Sequence, residues 1–232
     1  MVYGGTLFSR LRWSRCALCG QRTGDLGLCP GCVDDLPFQG RSCRRCAVPL
    51  AAGDLCGDCL GAPPVFDEAV GVFDYVEPAD RLIQRLKFDG DLAYARTLGI
   101  LMANELQRRG IRLPQAIIPV PLHPSRLAAR GFNQAVELAR PLAAGLGVRL
   151  DRSSCVRVRA TAEQSLLNAV DRRRNVKNAF SVVSSVAGAD VAVVDDVMTT
   201  GCTIEAVVRA LKQAGAHRVA VWVCARAAPP RH

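Results

Sequence analysis

The chain has 232 residues, half of them hydrophobic, so it is long and apolar enough for one ordinary domain plus a smaller one, and its composition excludes intrinsic disorder. No apolar run approaches the roughly 18 residues of a membrane span, and residues 1–13 lack a stretch of signal-peptide length, so we expect a cytoplasmic protein without membrane insertion. The net charge of +9 favours polyanions, either phosphorylated metabolites or nucleic acid, although the excess of Arg over Lys is also what a general coding preference would produce.

Eight of the eleven cysteines lie in the first 60 residues, as four C-x-x-C pairs: Cys16/Cys19, Cys29/Cys32, Cys43/Cys46 and Cys56/Cys59. Each cysteine of the last two pairs follows its counterpart in the first two by 27 positions, so the module is an internal repeat. Without an export signal, this pattern favours metal over disulfides or redox chemistry. Four thiolates close a tetrahedral site, so we predict two structural Zn²⁺ ions. Sequential pairing of the C-x-x-C turns is simplest, and interleaved pairing stays open.

From residue 65 onwards the sequence alternates between strand and helix patterns. Strand composition at 65–75 is compatible with an antiparallel ribbon. Apolar spacing then predicts the following elements: helices at 79–88 and 95–110, a strand at 116–120, a Pro-rich basic turn at 121–131, a helix from Asn133, strand-like residues 148–158, a polar segment 157–178, and strands 191–194 and 218–225 around a helix at 203–216. The alternation predicts an α/β fold with a parallel sheet covered on both faces, which binds ligands beyond the carboxyl ends of its strands.

Two carboxylates and a small polar loop stand at one such strand end. Asp195 and Asp196 follow the apolar run 191–194, and residues 199–203 then lead into a helix. Free N–H groups and the helix dipole make that loop an anion site, and Gly201 lets the backbone approach closely. The carboxylates would repel the same anion, so they must face a diol or Mg²⁺ instead. Ribose 5-phosphate satisfies both demands, whereas a carboxylate pair alone is often a solvated strand end.

Residues 193–203, VVDDVMTTGCT, resemble the 5-phosphoribosyl pyrophosphate (PRPP) motif of type I phosphoribosyltransferases. The resemblance implies a parallel sheet flanked by helices, with Asp195 and Asp196 as catalytic residues that contact the ribose hydroxyls. It assigns 5-phosphate binding to the loop residues Thr199, Thr200, Gly201, Cys202 and Thr203.

More narrowly, the whole chain is similar to the ComF family, which is associated with natural competence and DNA uptake. The matching stretches are 82–91, 118–135, 159–180 and the PRPP motif. The N-terminal cysteines resemble the double zinc ribbon that often precedes such domains. The resemblance therefore implies a double zinc ribbon at 10–62 and a phosphoribosyltransferase-like domain at 65–228.

The same resemblance assigns roles to the other loops. It places the pyrophosphate on Val120, Pro121, Leu122 and His123, mostly through backbone N–H groups, with added charge from Arg126 and Arg130. His123 is either a general base or, more in keeping with the pattern, a structural or phosphate-contacting side chain. Residues 157–178 correspond to a loop that closes over the reaction centre, with contributions from Arg157, Arg159, Thr161 and Gln164. Lys87 is expected to reach the same pocket.

These observations imply a protein that binds PRPP with Mg²⁺ and uses charge stabilisation to transfer phosphoribose to a nitrogen nucleophile of unassigned identity. A non-enzymatic role is the alternative. In that case the protein senses PRPP, or its zinc ribbons and Arg-rich surface bind single-stranded DNA or a protein of the competence machinery. The sequence leaves open whether transfer occurs.

Overall fold

The computed structural model describes residues 15–160 and 178–228, which form a cysteine-rich module followed by an α/β domain. The module contains two short helices, α1 (Pro30–Asp34) and α2 (Gly57–Gly61). Each helix begins directly after the first cysteine of a C-x-x-C pair, Cys29 or Cys56. Since positions i and i+3 share a helix face, both thiols of the pair are turned to the same side.

The described strands are β1 (Glu68–Asp74), β2 (Ala116–Pro119), β3 (Arg149–Leu150), β4 (Cys155–Arg157), β5 (Phe180–Val182), β6 (Asp190–Met198) and β7 (Arg218–Arg226). Five of them form a parallel sheet in the order β1-β7-β6-β2-β3, while β4 and β5 form an antiparallel pair. Alternate residues of β6 and β7 contribute to two separate hydrophobic clusters. This confirms the parallel sheet buried on both faces.

The helices of this domain are α3 (Ala79–Gln84), α4 (Leu92–Arg108), α5 (Pro124–Arg130), α6 (Gln134–Leu146) and α7 (Cys202–Gln213). Helices α3, α4 and α6 share the hydrophobic cluster that contains Trp222, and α7 shares the cluster on the other face of the sheet. Helices α4 and α6 approach closely at Gly99, where a Cβ atom would lie 2.4 Å from Pro141 Cγ and 2.6 Å from the Leu138 carbonyl oxygen. Glycine is therefore required for this helix contact.

Three expectations about local structure need correction. The strand at 65–75 exists as β1, but it pairs in parallel with β7 at the sheet edge, and its antiparallel pairing among the described residues is limited to a single bridge between Phe73 and Phe38. The strand-like stretch 148–158 divides into β3 in the main sheet and β4 in the small one. The basic turn at 121–131 contains helix α5, because His123 caps its N-terminus and Pro124 suits the first helical position.

Strand β6 also extends beyond the apolar run that predicts it. Asp195 and Asp196 lie inside the strand, with Asp195 opposite Val223 and Val197 opposite Ala225 of β7. Strand β7 pairs with β6 as far as Met198, and its ladder hydrogen bonds override the low strand preference of aspartate. The acidic pair therefore has the regular backbone of a buried strand.

The cysteine-rich module packs along the outer edge of β1. The Gln39 N–H donates to the Val72 carbonyl (2.8 Å), and the Asp74 N–H donates to the Pro37 carbonyl (2.9 Å). The Arg109 guanidinium of α4 donates to the Gln39 carbonyl at 2.7 Å. An open strand edge invites pairing with other chains, so the module also protects this edge of the sheet.

In the described part of the chain, every helix is too short or too polar to cross a lipid bilayer.

Candidate active site and metal centres

The eight paired cysteines form two groups of four. Cys16, Cys19, Cys29 and Cys32 make the first cluster, and Cys43, Cys46, Cys56 and Cys59 make the second. The four sulfur atoms of each cluster lie within 4.8 Å of one another. The sequential pairing is therefore confirmed and the interleaved pairing is wrong.

Both clusters fit a zinc ion. Tetrahedral coordination with Zn–S bonds of about 2.3 Å separates the sulfurs by about 3.8 Å. The Sγ–Sγ distance is 3.6 Å between Cys19 and Cys29, and also 3.6 Å between Cys46 and Cys56. The Cys56 N–H additionally faces the Cys43 sulfur at 3.4 Å, as expected for a donor that stabilises a coordinating thiolate.

The acidity of the thiols agrees with this fit. Burial would raise the pKa of Cys16 and Cys43, but backbone N–H groups lower it to about 6 and about 7, respectively. In the same clusters, the pKa of Cys46 is raised to about 11, by burial first, and that of Cys32 is raised by its hydrogen bond with Cys19 and by burial. Four thiols in one cluster cannot all ionise without a cation, and a dication at the centre would relieve this repulsion.

The α/β domain contains a cleft of about 310 Å³ above the carboxyl ends of β6 and β2. Residues from five separate parts of the chain line it. The lining residues that sequence reasoning named are Lys87, Val120, Leu122, Arg126, Arg130, Arg157, Asp195, Asp196, Thr199, Thr200, Gly201, Cys202 and Thr203. The parallel sheet brings these distant segments together because all its strands end on the same side.

The two adjacent aspartates have different surroundings. Asp196 is only 3% exposed, and its Oδ2 atom lies 2.9 Å from Lys87 Nζ. Although burial acts to lower the pKa of Lys87, the charge of Asp196 raises it above its usual value. Asp196 is thus paired with a cation that also lines the cleft.

Asp195 is the carboxylate whose ionisation is opposed. Burial, and then the charge of Asp196, raise the pKa of Asp195 to about 8. Its Oδ1 atom accepts the N–H of Asp196 at 2.9 Å, which holds the side chain against the strand. A cation or a hydroxyl donor placed beside Asp195 would favour its ionised form.

Lys87 reaches Asp196 from an irregular helical turn. Helix α3 continues into a π-helical turn at Arg85–Asp89, which ends at Gly90 with φ of +68°. Such a turn widens the helix, and π-turns of this kind are frequent at functional sites. Phe88, in the same turn, is 73% exposed and lines the cleft.

The loop before α7 has the geometry of an anion site. Gly201 adopts φ of +80°, a left-handed conformation that favours glycine, and it caps the helix. The first N–H groups of a helix have no intrahelical partners, and the helix dipole places positive charge there. The Thr200 hydroxyl donates to the sulfur of Cys202 at 3.2 Å, and Cys202 is buried, so this thiol packs the loop.

Arginine side chains add positive charge to the remaining wall. Arg126 and Arg130 come from α5, and Arg130 is oriented by a hydrogen bond to Gln134 Oε1 (2.9 Å). Arg157 of β4 is buried, with its guanidinium 5.3 Å from the centre of the Phe180 ring. Burial and the nearby charge of Arg126 lower the pKa of Arg157, so a bound anion would relieve an unfavourable charge.

Several predicted contacts are more limited than expected. The Val120 N–H donates to the Val194 carbonyl at 2.9 Å, and Pro121 has no N–H, so neither backbone donates to a ligand. His123 does not line the cleft, and its Nδ1 atom accepts the Ser125 N–H (3.2 Å) at the start of α5. Arg159 is exposed outside the cleft lining, and Gln164 and Thr161 lie outside the described residues.

Sequence reasoning missed Tyr75 and Gln134, which also line the cleft. Tyr75 follows β1 directly, so the signal was available, because the carboxyl end of every strand in a parallel sheet borders the same edge. Gln134 is the first residue of α6 and has no comparable signal in the sequence.

Comparison with known proteins gives two family matches. Residues 7–60 match the double zinc ribbon domain, and residues 131–231 match the phosphoribosyl transferase domain. The first match covers both cysteine clusters, and the second covers the acidic pair and the loop at 199–203.

The chain is also similar to proteins over nearly their full length. It is 40% identical to DNA utilization protein YhgH of Salmonella typhimurium, across 86% of this chain and 90% of that protein. It is 38% identical to competence protein F of Haemophilus influenzae, across 87% and 91%. Among solved structures, it resembles glutamine PRPP amidotransferase from B. subtilis at 20% identity, across 56% of this chain and 26% of that one, with a TM-score of 0.39.

Proposed function

Since the chain belongs to the ComF family, with DNA utilization protein YhgH and competence protein F, we propose that it binds PRPP in the cleft. The bound PRPP donates its phosphoribosyl group to a nitrogen nucleophile. The proposed domains are a double zinc ribbon at 10–62 and a phosphoribosyltransferase-like domain at 65–228.

The observation that carries this proposal is the separation of charge within one cleft. Asp195 supplies a carboxylate on one side, while the 199–203 loop and three arginines supply positive charge on the others. A simple anion would further oppose the ionisation of Asp195, and a simple cation would be repelled by the arginines. PRPP has a diol between two phosphate groups, so it presents hydroxyl donors to the carboxylate and anions to both positive walls.

Each group of cleft residues has a separate role in the proposed transfer. Asp195 accepts hydrogen bonds from the ribose hydroxyls, and the N–H groups of the 199–203 loop hold the 5-phosphate. Arg126 and Arg130 hold the pyrophosphate and stabilise the charge it acquires as its bond to C1 breaks. Asp195 is the residue that would hold a Mg²⁺ ion bound with PRPP, and such an ion would supply further charge neutralisation at the leaving group. Lys87 keeps Asp196 paired and the strand end rigid.

The names of the relatives concern DNA utilization and competence, and we extend that role to this chain. The proposed reaction therefore serves DNA uptake or the metabolism of nucleotides taken up with it. In the alternative, the fold retains PRPP binding as a sensor without turnover, and the chain acts through DNA or a protein partner.

Ligand-dependent melting tests PRPP binding. A ligand that binds only the folded state stabilises it by about 2.7 kcal/mol at roughly 100 times its dissociation constant. We expect PRPP with Mg²⁺ to raise the melting temperature by several degrees, and ribose 5-phosphate to raise it less. Asp195→Asn should abolish most of the PRPP shift, whereas Asp34→Asn, which alters an exposed carboxylate in the cysteine-rich module, should retain it. A full PRPP response from Asp195→Asn would leave the proposal without its main support.

Labelled PRPP distinguishes transfer from sensing. The protein is incubated with labelled PRPP, Mg²⁺ and a cell extract, and ribosylated products are identified against a parallel reaction with Asp195→Asn. A labelled product that depends on Asp195 supports the transferase. PRPP binding without any such product favours the sensor.

A further inference from the structure

Arg226 joins the second cysteine cluster to the anion-binding loop. It is the last residue of β7 and is 7% exposed, although it carries a guanidinium group. Its Nε atom donates to the Cys46 carbonyl at 2.9 Å. Its Nη1 atom donates to the carbonyl oxygens of Met198 (3.0 Å) and Thr199 (2.6 Å), and to that of Ala227. One side chain therefore connects a residue of the second cluster to the loop at 199–203.

The contacts to Met198 and Thr199 fix the orientation of two peptide units. A peptide unit is planar and trans, so its C=O and the following N–H point in opposite directions. Both carbonyl oxygens point toward the buried Arg226, which does not line the cleft, whereas Met198, Thr199 and Thr200 do. The Met198 carbonyl also accepts the Ala227 N–H at 3.0 Å, so the Thr199 carbonyl depends more on Arg226. The N–H groups of Thr199 and Thr200 are consequently held on the opposite side, where a phosphate would accept from them.

The backbone at Cys46 and Ala47, where Arg226 contacts the second cluster, is also held in place by its neighbours. Cys46 belongs to the second cluster, and the next residue, Ala47, has φ of +57° and is fully buried. The Gln39 amide donates to the Ala47 carbonyl at 3.0 Å and to Asp74 Oδ1 at 3.1 Å. A metal ion on Cys46 would therefore hold in place the Cys46 carbonyl that accepts the hydrogen bond from Arg226 Nε.

Gly71 of β1 leaves space for this arrangement. A Cβ atom on Gly71 would lie 2.9 Å from Gln39 Oε1 and 3.0 Å from Arg226 Cβ. Any larger residue would push apart the two side chains that hold the Cys46–Ala47 turn.

We propose that Arg226 is a positioning residue that transmits the order of the second cysteine cluster to the anion-binding loop. Loss of metal from that cluster then weakens phosphate binding in the cleft, whereas loss of metal from the first cluster does not. The proposal rests on the proposed function for the identity of the ligand, but the order of the loop can be measured without any ligand.

The first measurement is the dissociation constant for ribose 5-phosphate, taken on folded protein with its zinc content determined. Arg226→Gln removes the charge and the fork of donors, and should weaken binding about tenfold or more, since hydrogen bonds from charged groups are among the stronger ones. Arg226→Lys keeps the charge and should fall between Arg226→Gln and the unaltered protein. Unchanged affinity in Arg226→Gln, with only a lower melting temperature, would show that the residue is merely structural.

A matched pair of cysteine variants tests the connection from the other end. Cys56→Ser with Cys59→Ser disables the second cluster without altering Cys46, and Cys16→Ser with Cys19→Ser disables the first. The second-cluster variant should weaken ribose 5-phosphate binding in the same direction as Arg226→Gln, and the first-cluster variant should change it less than about twofold. Equal losses in both would refute a specific link.

Hydrogen exchange of the amides at 199–203 provides the ligand-free readout. Exchange should accelerate in Arg226→Gln and in the second-cluster variant, and should stay unchanged in the first-cluster variant. If neither PRPP nor ribose 5-phosphate binds even the unaltered protein, the proposed function fails while this exchange pattern still decides the role of Arg226. Unaltered protection at 199–203 in both affected variants would overturn the proposal.

Discussion

Asp195 and Asp196 are neighbours in sequence, yet their surroundings differ, because within the described part of the chain it is Asp196 that forms the ion pair with Lys87. Asp196 is buried against Lys87, which makes it part of the framework of the cleft. Asp195 has its pKa raised by burial and by its neighbour. At the residue scale, we therefore propose that Asp195 is the carboxylate that contacts the ligand and that Asp196 supports the cleft, which narrows the expectation that both contact the ribose hydroxyls.

This asymmetry predicts a pH dependence of stability. The pKa of Asp195 is about 8 in the folded protein against 3.8 as its ordinary value, so between these values the folded state retains a proton that the unfolded state has lost. Stability must then decrease as pH rises through this window and level off above it. Asp195→Asn removes the titrating group. In melting experiments without ligand, we compare the melting temperature of Asp195→Asn with that of the unaltered protein at each pH. The difference, variant minus unaltered protein, should be a few degrees larger at pH 8.5 than at pH 6.

The comparison is made between variants at the same pH, so that effects of pH on the thiol clusters cancel. Asp34→Asn is the control, because its exposed carboxylate gives no reason for a comparable change. Parallel melting curves for Asp195→Asn and the unaltered protein from pH 6 to 8.5 would mean that Asp195 titrates normally.

At the scale of elements, the 27-residue repeat becomes two cysteine clusters of the same construction. In both, a turn carries the first pair, and a short helix, α1 or α2, begins within the second pair. The helices have five residues each, so they lack the length for independent stability. The metal ions, in our proposal, supply the missing stabilisation.

Metal analysis checks this directly. The purified protein should contain close to two zinc ions per chain, and Cys43→Ser with Cys46→Ser should contain one. Chelation should unfold the module, since so small a unit has little other core. Protein that remains metal-free with reduced cysteines, yet keeps the circular dichroism of the folded module, would contradict structural zinc.

At the scale of the whole molecule, the positive charge is unevenly distributed between the two modules. Residues 15–60 contain five Arg and five Asp, so the net charge of +9 lies outside the described cysteine-rich module. Three arginines of the α/β domain converge on the cleft. We therefore predict that any weak, sequence-independent binding of single-stranded DNA involves the α/β domain in preference to the zinc ribbons.

Binding to a labelled single-stranded oligonucleotide at several salt concentrations tests this assignment. Affinity should decrease steeply with salt, because each neutralised phosphate releases about 0.7 counterions from a single strand. Arg126→Gln with Arg130→Gln should reduce both the low-salt affinity and the salt slope. Arg41→Gln with Arg44→Gln, in the cysteine-rich module, should reduce them less. Undetectable binding at low salt would remove direct DNA binding from the functions of the chain.

Much of the local structure could be predicted from the sequence because its determinants are close together along the chain. The C-x-x-C spacing and its repeat indicate two four-cysteine sites, and the apolar runs indicate the strands of a parallel sheet. The glycine and threonines before α7 indicate an anion loop, since a helix terminus carries its free N–H groups wherever it lies. The sequence by itself therefore determined the fold class, the two modules and the candidate cleft.

Only the tertiary structure decided which distant side chains meet. The pairing of Lys87 with Asp196 and the bridge from Arg226 to Cys46 and Thr199 join segments far apart in sequence. The parallel placement of β1 at the sheet edge, under the cysteine-rich module, is likewise a matter of packing. No periodicity encodes such contacts, because they depend on which faces of the folded elements are buried together, and that choice is made by the whole molecule.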